Sequence, residues 1–148
     1  MAKSSVVEPL TAIINQSLAT GVVPPDWKTA VIVVSWGFDE TGQPAEELTL
    51  VEMPVVSQET CIRSYSELFE RFISDYTYCA GNRNGTSVCK RDSGSGMVFR
   101  QNGLWYLRGL VSLSVARPNE YPCDPTHYVV FTDLAKLLPW IYSKVSDY

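Results

Sequence analysis

The chain has 148 residues, of which 45% are hydrophobic and 19% charged, and its formal charge is −4. That composition supports one soluble domain with a real core and excludes a disordered chain. The acidic balance argues against nucleic acid as a partner held by electrostatic field, and no apolar stretch approaches the roughly 20 residues that a membrane helix needs.

Residues 1–30 read differently from the rest. Leu10, Ile13, Ile14 and Leu18 recur at helical spacing, with Pro9 near the start and Gly21 just past the end. A helix is expected over about 9–20, and Pro24-Pro25 forbids its continuation. From residue 31 onward β-signals dominate. Val31-Ile32-Val33-Val34 is a β-branched run bounded by Ser35-Trp36-Gly37 and reads as a buried strand. Leu48–Val56 is a second strand, broken near Pro54. A short helix follows from Gln58 to about Phe69, with acidic residues early and Arg71 late. Tyr76–Ala80 is the third strand. Gly96–Arg100 and Leu104–Val115 form a hairpin across Gln101-Asn102-Gly103, where Asn-Gly is the turn signal. Tyr128–Thr132 is the sixth strand. Asp133 then caps a last helix with Leu134, Leu137, Leu138 and Ile141 on one face and Pro139 inside it. The expected fold is mainly β, a single six-stranded antiparallel barrel with a helical segment before it and a helix after it.

The stretch with the most chemical content is Cys89-Lys90-Arg91-Asp92-Ser93-Gly94-Ser95-Gly96. It places a serine between an aspartate and a glycine, in a glycine-rich turn that feeds the apolar run Met97-Val98-Phe99. A serine hydroxyl becomes a nucleophile only when a base removes its proton. Glycines let the backbone approach a substrate carbonyl, so that amide N–H groups can stabilise the oxyanion. Four cysteines allow three pairings, and the spacing does not choose among them. The cysteines stand far apart and the one histidine, His127, is distant from all but Cys123, so neither a metal site nor a cofactor is expected. Asn84-Gly85-Thr86 and Asn15-Gln16-Ser17 fit the glycosylation sequon, the second on the expected helix. Met1-Ala2-Lys3 leads into no apolar core with a small-residue cleavage site, so no secretory signal is expected and the compartment stays open.

Tyr78-Cys79-Ala80-Gly81, Asn84-Gly85-Thr86-Ser87-Val88-Cys89, Asp92-Ser93-Gly94, Gly109-Leu110-Val111-Ser112, Cys123, Phe131-Thr132 and Leu138-Pro139-Trp140-Ile141 together resemble the second half of trypsin-like serine endopeptidases. The finer likeness is to the modular, clip-type proteases of arthropods. The family fold has two barrels with the active site between them, and the resemblance over about residues 32–148 implies the second barrel alone. It implies Cys61–Cys79 and Cys89–Cys123 as the disulfides and an extracellular setting. The family's substrates, peptides and proteins, are implied if the chain is active.

The resemblance places the nucleophile at Ser93 and the oxyanion-hole amides at Ser93 and Arg91. The family has glycine at the latter position, so Arg91 puts that hole in doubt. Ser95 also stands where the family has a second glycine. Ser87 falls at the floor of the specificity pocket and Ser114 and Val129 at its walls, which implies a small apolar pocket. Leu113 replaces a tryptophan that stacks along the substrate. Asp92 matches the carboxylate that pairs with a freed amino terminus on zymogen activation. With that terminus expected to be missing, Asp92 is expected to be solvent-exposed, protonated or locally disordered. His127 falls in the loop bordering the pocket and is expected to be a surface residue rather than a general base. Asp124 and Asp133 match no triad position, and a rebuilt Ser93–His127–Asp124 triad is not expected. A protein partner or self-association through the exposed cleft face is the other expectation.

Residues 13–30, in Ile13-Ile14-Asn15-Gln16-Ser17-Leu18, Thr20-Gly21-Val22-Val23-Pro24 and Trp27-Lys28-Thr29-Ala30, resemble the fingers region of non-LTR retrotransposon reverse transcriptases. They hold no polymerase carboxylates, so no polymerase activity is implied. The expected division is 1–30 and 31–148.

Overall fold

A computed structural model describes residues 31–35, 43, 48–85, 87–88, 92–101, 103–117 and 124–145. The helix expected over 9–20 lies outside the described residues, as does the boundary at residue 30.

Seven strands form one antiparallel sheet: β1 (Val31–Ser35), β2 (Thr49–Glu52), β3 (Val55–Val56), β4 (Thr77–Ala80), β5 (Gly96–Gln101), β6 (Leu104–Leu113) and β7 (Val129–Asp133). Their order is β2-β1-β5-β6-β7-β4-β3. The expectation of six strands is corrected at Pro54. A proline lacks the N–H that a ladder requires, and the chain changes partners there. Before it, β2 pairs with β1, Val51 facing Val33; after it, β3 pairs with β4, Val55 facing Ala80. The Pro54 carbonyl accepts a hydrogen bond from the Gly81 amide at 3.0 Å. Both edges of the sheet thus belong to one bent stretch of chain, and the sheet curls back on itself around an interior. The hairpin turn has Gly103 at φ +79°, which the Asn-Gly signal anticipates.

The interior is filled from all round the ring: Val33, Val51, Met53, Tyr78, Ala80, Met97, Phe99, Val111, Val129 and Phe131, with Val88 from the loop before the Ser93 turn. Side chains alternate across a strand, so Tyr78 and Ala80 point inward while Cys79 points outward; Val129 and Phe131 point inward while Val130 points outward. The outward set is covered by two helices, α1 (Gln58–Ser64) and α2 (Ser66–Phe72). The single helix expected from Gln58 to Phe69 is interrupted at Tyr65, whose φ of −162° and ψ of 72° are not helical. Ser57 caps α1 by accepting from the Thr60 amide at 3.1 Å. Phe69 packs with Val130, Cys61 and Cys79, and the Cys61–Cys79 disulfide fastens α1 to β4. Cys89 and Cys123 lie outside the described residues.

The last helix, α3 (Leu134–Val145), follows β7 without a gap and runs through Pro139. Asp133 starts it as expected, its Oδ1 accepting from the Ala135 amide at 3.0 Å. The apolar face of α3 is only half covered: none of its residues is fully buried, and Trp140 is 61% exposed.

Gly109 reconciles β6 with the interior. A Cβ there would lie 2.3 Å from Tyr78 Oη and 2.8 Å from the Thr132 carbonyl oxygen. The tyrosine ring crosses β6 where only a hydrogen fits. It stacks on Phe131 with centroids 5.4 Å apart, and its hydroxyl donates to Met97 Sδ at 3.0 Å. Arg108 also lies over the ring, 5.0 Å from its centroid. Burial pushes the Tyr78 phenol well above its ordinary value, so it stays a neutral donor.

Candidate active site

Ser93 is carried by a tight turn. The Ser95 amide donates to the Asp92 carbonyl at 2.9 Å, closing four residues. Gly94, at φ +85°, supplies the left-handed third position that such a turn demands and that glycine adopts without strain. The turn is anchored to the barrel by Gly94 N–H to the Val111 carbonyl at 2.8 Å and Val111 N–H to the Ser95 carbonyl at 3.0 Å. These bonds leave Ser93 exposed at the outside of the turn. Among the described residues, none hydrogen-bonds its hydroxyl.

Of the three states expected of Asp92, two are not observed. It is neither exposed nor disordered but 3% accessible. A buried carboxyl group requires hydrogen bonds, and one comes from Ser35 Oγ, which donates to Asp92 Oδ1. Ser35 is itself 4% accessible and ends β1, 57 residues earlier in the chain. Ser35 therefore joins β1 to the residue next to Ser93. Ser35→Ala is expected to lower stability by about 1–3 kcal/mol. Faster hydrogen exchange at the Gly94 and Ser95 amides should accompany it, with Ser35→Thr restoring protection. Unchanged exchange at both amides would show that the bond does not hold the turn.

Among the described residues, no hydrogen bond joins His127 to Ser93. His127 is half-buried, and its ring lies against Tyr65 with centroids 4.8 Å apart. Its Nε2 is 3.9 Å from Asp124 Oδ2, and its Nδ1 is buried with no hydrogen-bond partner among the described residues. A histidine acting as base must turn one nitrogen to the hydroxyl and the other to its orienting group. Here one nitrogen lies toward the carboxylate, and the other is buried and bonds to no described residue, Ser93 included. Asp124 is engaged locally: it accepts from the Thr126 amide at 3.0 Å and the Thr126 hydroxyl at 2.6 Å, and lies 3.3 Å from Arg117 Nε. The Thr126 hydroxyl, aided by the Thr126 amide and Arg117, holds the Asp124 carboxyl down to about 2. Because this folded value is depressed, its contribution to stability is complete above the ordinary value of 3.8 and fades as pH falls through about 2. An NMR titration of Asp124 should give a midpoint near that value, and Thr126→Val should raise it. A midpoint at the ordinary value in the unsubstituted protein would contradict the arrangement.

Each of the remaining expected site residues has its own local setting. Ser87 is half-buried, its hydroxyl donating to the Val88 carbonyl at 3.3 Å. Ser114 is half-buried just beyond β6, and Leu113 packs with the cluster beneath α1 and α2. Val129 is 1% exposed and belongs to the barrel interior. Arg91 lies outside the described residues. Asp133 makes a pair that sequence reasoning missed: Arg108 Nη1 and Nη2 meet its two oxygens at 2.5 and 2.7 Å. Among the described residues, no group of His, Cys, Asp and Glu could hold a metal ion.

The trypsin family matches residues 7–141 of the chain. The match begins well before residue 31, where the protease segment is expected to start. Serine protease gd of Drosophila melanogaster is 29% identical over 141 residues, covering 74% of this chain and 26% of its own length. CLIP domain-containing serine protease HP8 of Bombyx mori is 29% identical over 118 residues, covering 78% of this chain and 30% of its own. CLIP domain-containing serine protease B15 of Anopheles gambiae is 31% identical over 110 residues, covering 74% of this chain and 29% of its own. The matched region is thus less than a third of each relative.

Proposed function

Because the chain belongs to the trypsin family of serine proteases, we propose that it carries the nucleophile-bearing barrel of a serine endopeptidase, of the kind found in insect clip-type proteases, and that by itself it cleaves no peptide bond. Ser93 is the nucleophile position, on a turn whose glycine and backbone bonds present the hydroxyl outward. One observation supports the silent reading: the His127 ring lies tilted against Tyr65 with Nε2 toward Asp124, and among the described residues neither of its nitrogens hydrogen-bonds Ser93. Without a base the hydroxyl stays protonated.

The test is a fluorophosphonate probe together with a panel of fluorogenic peptides. No labelling and no turnover are expected. Labelling that is lost in Ser93→Ala would overturn the reading and make Ser93 a working nucleophile. Adding the other barrel of a relative in trans separates a silent turn from a merely unpartnered one. Cleavage restored by it, and abolished by Ser93→Ala, would assign the chain the substrate class of peptides and proteins.

A second reading is an interaction module. Its support is the half-covered face of α3, with Leu134, Leu137, Leu138 and Ile141 only partly buried and Trp140 and Val145 61% and 55% exposed. Apolar surface of that kind marks interfaces. A monodisperse monomer in analytical ultracentrifugation at high concentration would count against self-association. The reverse-transcriptase resemblance of residues 1–30 belongs to the same proposal as a fusion at about residue 30. A transcript read across Ala30–Ser35 tests it.

A further inference from the structure

We propose that Asn84 is an N-glycosylation site, a modification independent of whether Ser93 is active. The acceptor sequence Asn84-Gly85-Thr86 meets the requirement of a hydroxyl residue two positions after the asparagine with no proline between. A sequence match of this kind says little alone. Three features of the molecule give it weight.

The first is exposure. Asn84 lies in the irregular segment between β4 and the Ser93 turn, and Asn82, Arg83, Asn84 and Gly85 are all exposed. The second is the room and shape of the loop. Arg83 at φ 57° and Gly85 at φ +100° flank Asn84 in the left-handed region, which throws the segment outward. An atom added at Gly85 would meet nothing within 4 Å, so the volume beside the asparagine is open to a bulky group. The loop is also held at its base. Arg83 Nε donates to the Thr126 carbonyl at 2.8 Å, its guanidinium lies 5.3 Å from the Tyr128 ring centroid, and Asn82 Nδ2 donates to the Glu52 carbonyl at 3.0 Å. A glycan on Asn84 would project from a fixed mount without disturbing a packed surface. The third is compartment. The Cys61–Cys79 disulfide, wholly buried between α1 and β4, forms and persists in the oxidising secretory pathway, where the glycosylating enzyme acts.

The step is a group transfer from a lipid-linked oligosaccharide. Asn84 Nδ2 forms a bond to the anomeric carbon of the first sugar. The bond from that carbon to the lipid pyrophosphate oxygen breaks, the pyrophosphate leaves with the electron pair, and the amide loses one proton to a base of the transferase. No oxidant or reductant takes part. The transferase meets the chain while it is still extended, so the hydrogen bonding of Asn84 in the folded state does not block it.

The full 148-residue chain, sent into the secretory pathway of insect cells behind a cleavable signal, provides the test. Most secreted molecules are expected to show a mobility shift that peptide-N-glycosidase removes. Release in heavy-oxygen water should leave labelled aspartate at position 84. Thr86→Ala should abolish the label while leaving Asn84 in place, and Thr86→Ser should retain it. Asn84→Gln should also abolish it. The two threonine variants keep the test valid if Asn84→Gln fails to fold. Secreted protein without label at position 84, or with label at Asn15 alone, would overturn the proposal.

Discussion

Asp133→Ala is expected to be among the most damaging single substitutions in this barrel, costing about 3–5 kcal/mol in denaturant unfolding. The side chains of Arg108 and Asp133 are only 14% and 6% exposed, and two parallel bonds pair the carboxylate with the guanidinium. Alanine leaves the guanidinium half-buried over the Tyr78 ring with no carboxylate. Burial already lowers the Arg108 pKa from its ordinary value, and Asp133 is what opposes that shift. The same substitution removes the cap on the Ala135 amide. Asp133→Asn separates the two effects, since an amide can still cap but cannot neutralise Arg108. The double variant Arg108→Met/Asp133→Leu is expected to lose less than the sum of the single losses, because it leaves no orphan charge. A loss below about 1 kcal/mol for Asp133→Ala would place the pair with exposed ion pairs and refute the argument.

Gly109→Ala should cost about 1–3 kcal/mol or more, although it adds one methyl group. Tyr78 Oη could retreat only by giving up Met97 Sδ, its stack on Phe131 and its contact with Arg108. The other obstacle, the Thr132 carbonyl, is backbone and cannot turn aside. Tyr78→Phe removes the nearest atom, so Gly109→Ala should cost less in that background than in the original protein. Equal costs in both would show that the Thr132 carbonyl, not the hydroxyl, sets the limit. Gly109 and Arg108 are chain neighbours around one ring, so their effects should not add.

The strands were legible because each carries its own local signal. Val31–Val34 shows β-branching, Asn102-Gly103 marks its hairpin, and Asp133 precedes a stripe of leucines. The change of partners at Pro54 was not legible. The proline announces a break, but which strands receive the two halves depends on residues far away. The interruption at Tyr65 left no trace either, since α1 and α2 share one run of helix-compatible residues.

The candidate site followed the same division. The turn around Ser93 could be read because its glycine stands beside its serine. The partner of Asp92 could not, because no pattern links residues 57 positions apart. The Arg108–Asp133 pair was hidden for that reason too. The setting of His127 depends on Tyr65, which arrives from the irregular residue between two helices. The Cys61–Cys79 bridge came from family likeness; counting cysteines left three pairings open.

The bent stretch 49–56 also governs how the ring is put together. Neighbouring segments such as β5 and β6 can zip across a two-residue turn, but β1 must wait for β5, and the corner at Pro54 must find β1 on one flank and β4 on the other. Such distant matches are slow, since entropy is spent closing long loops before any contact repays it. With only two residue pairs the β3–β4 ladder is short, and the Cys61–Cys79 disulfide, formed by the residue facing Val56 and the helix just beyond it, is what keeps that joint closed.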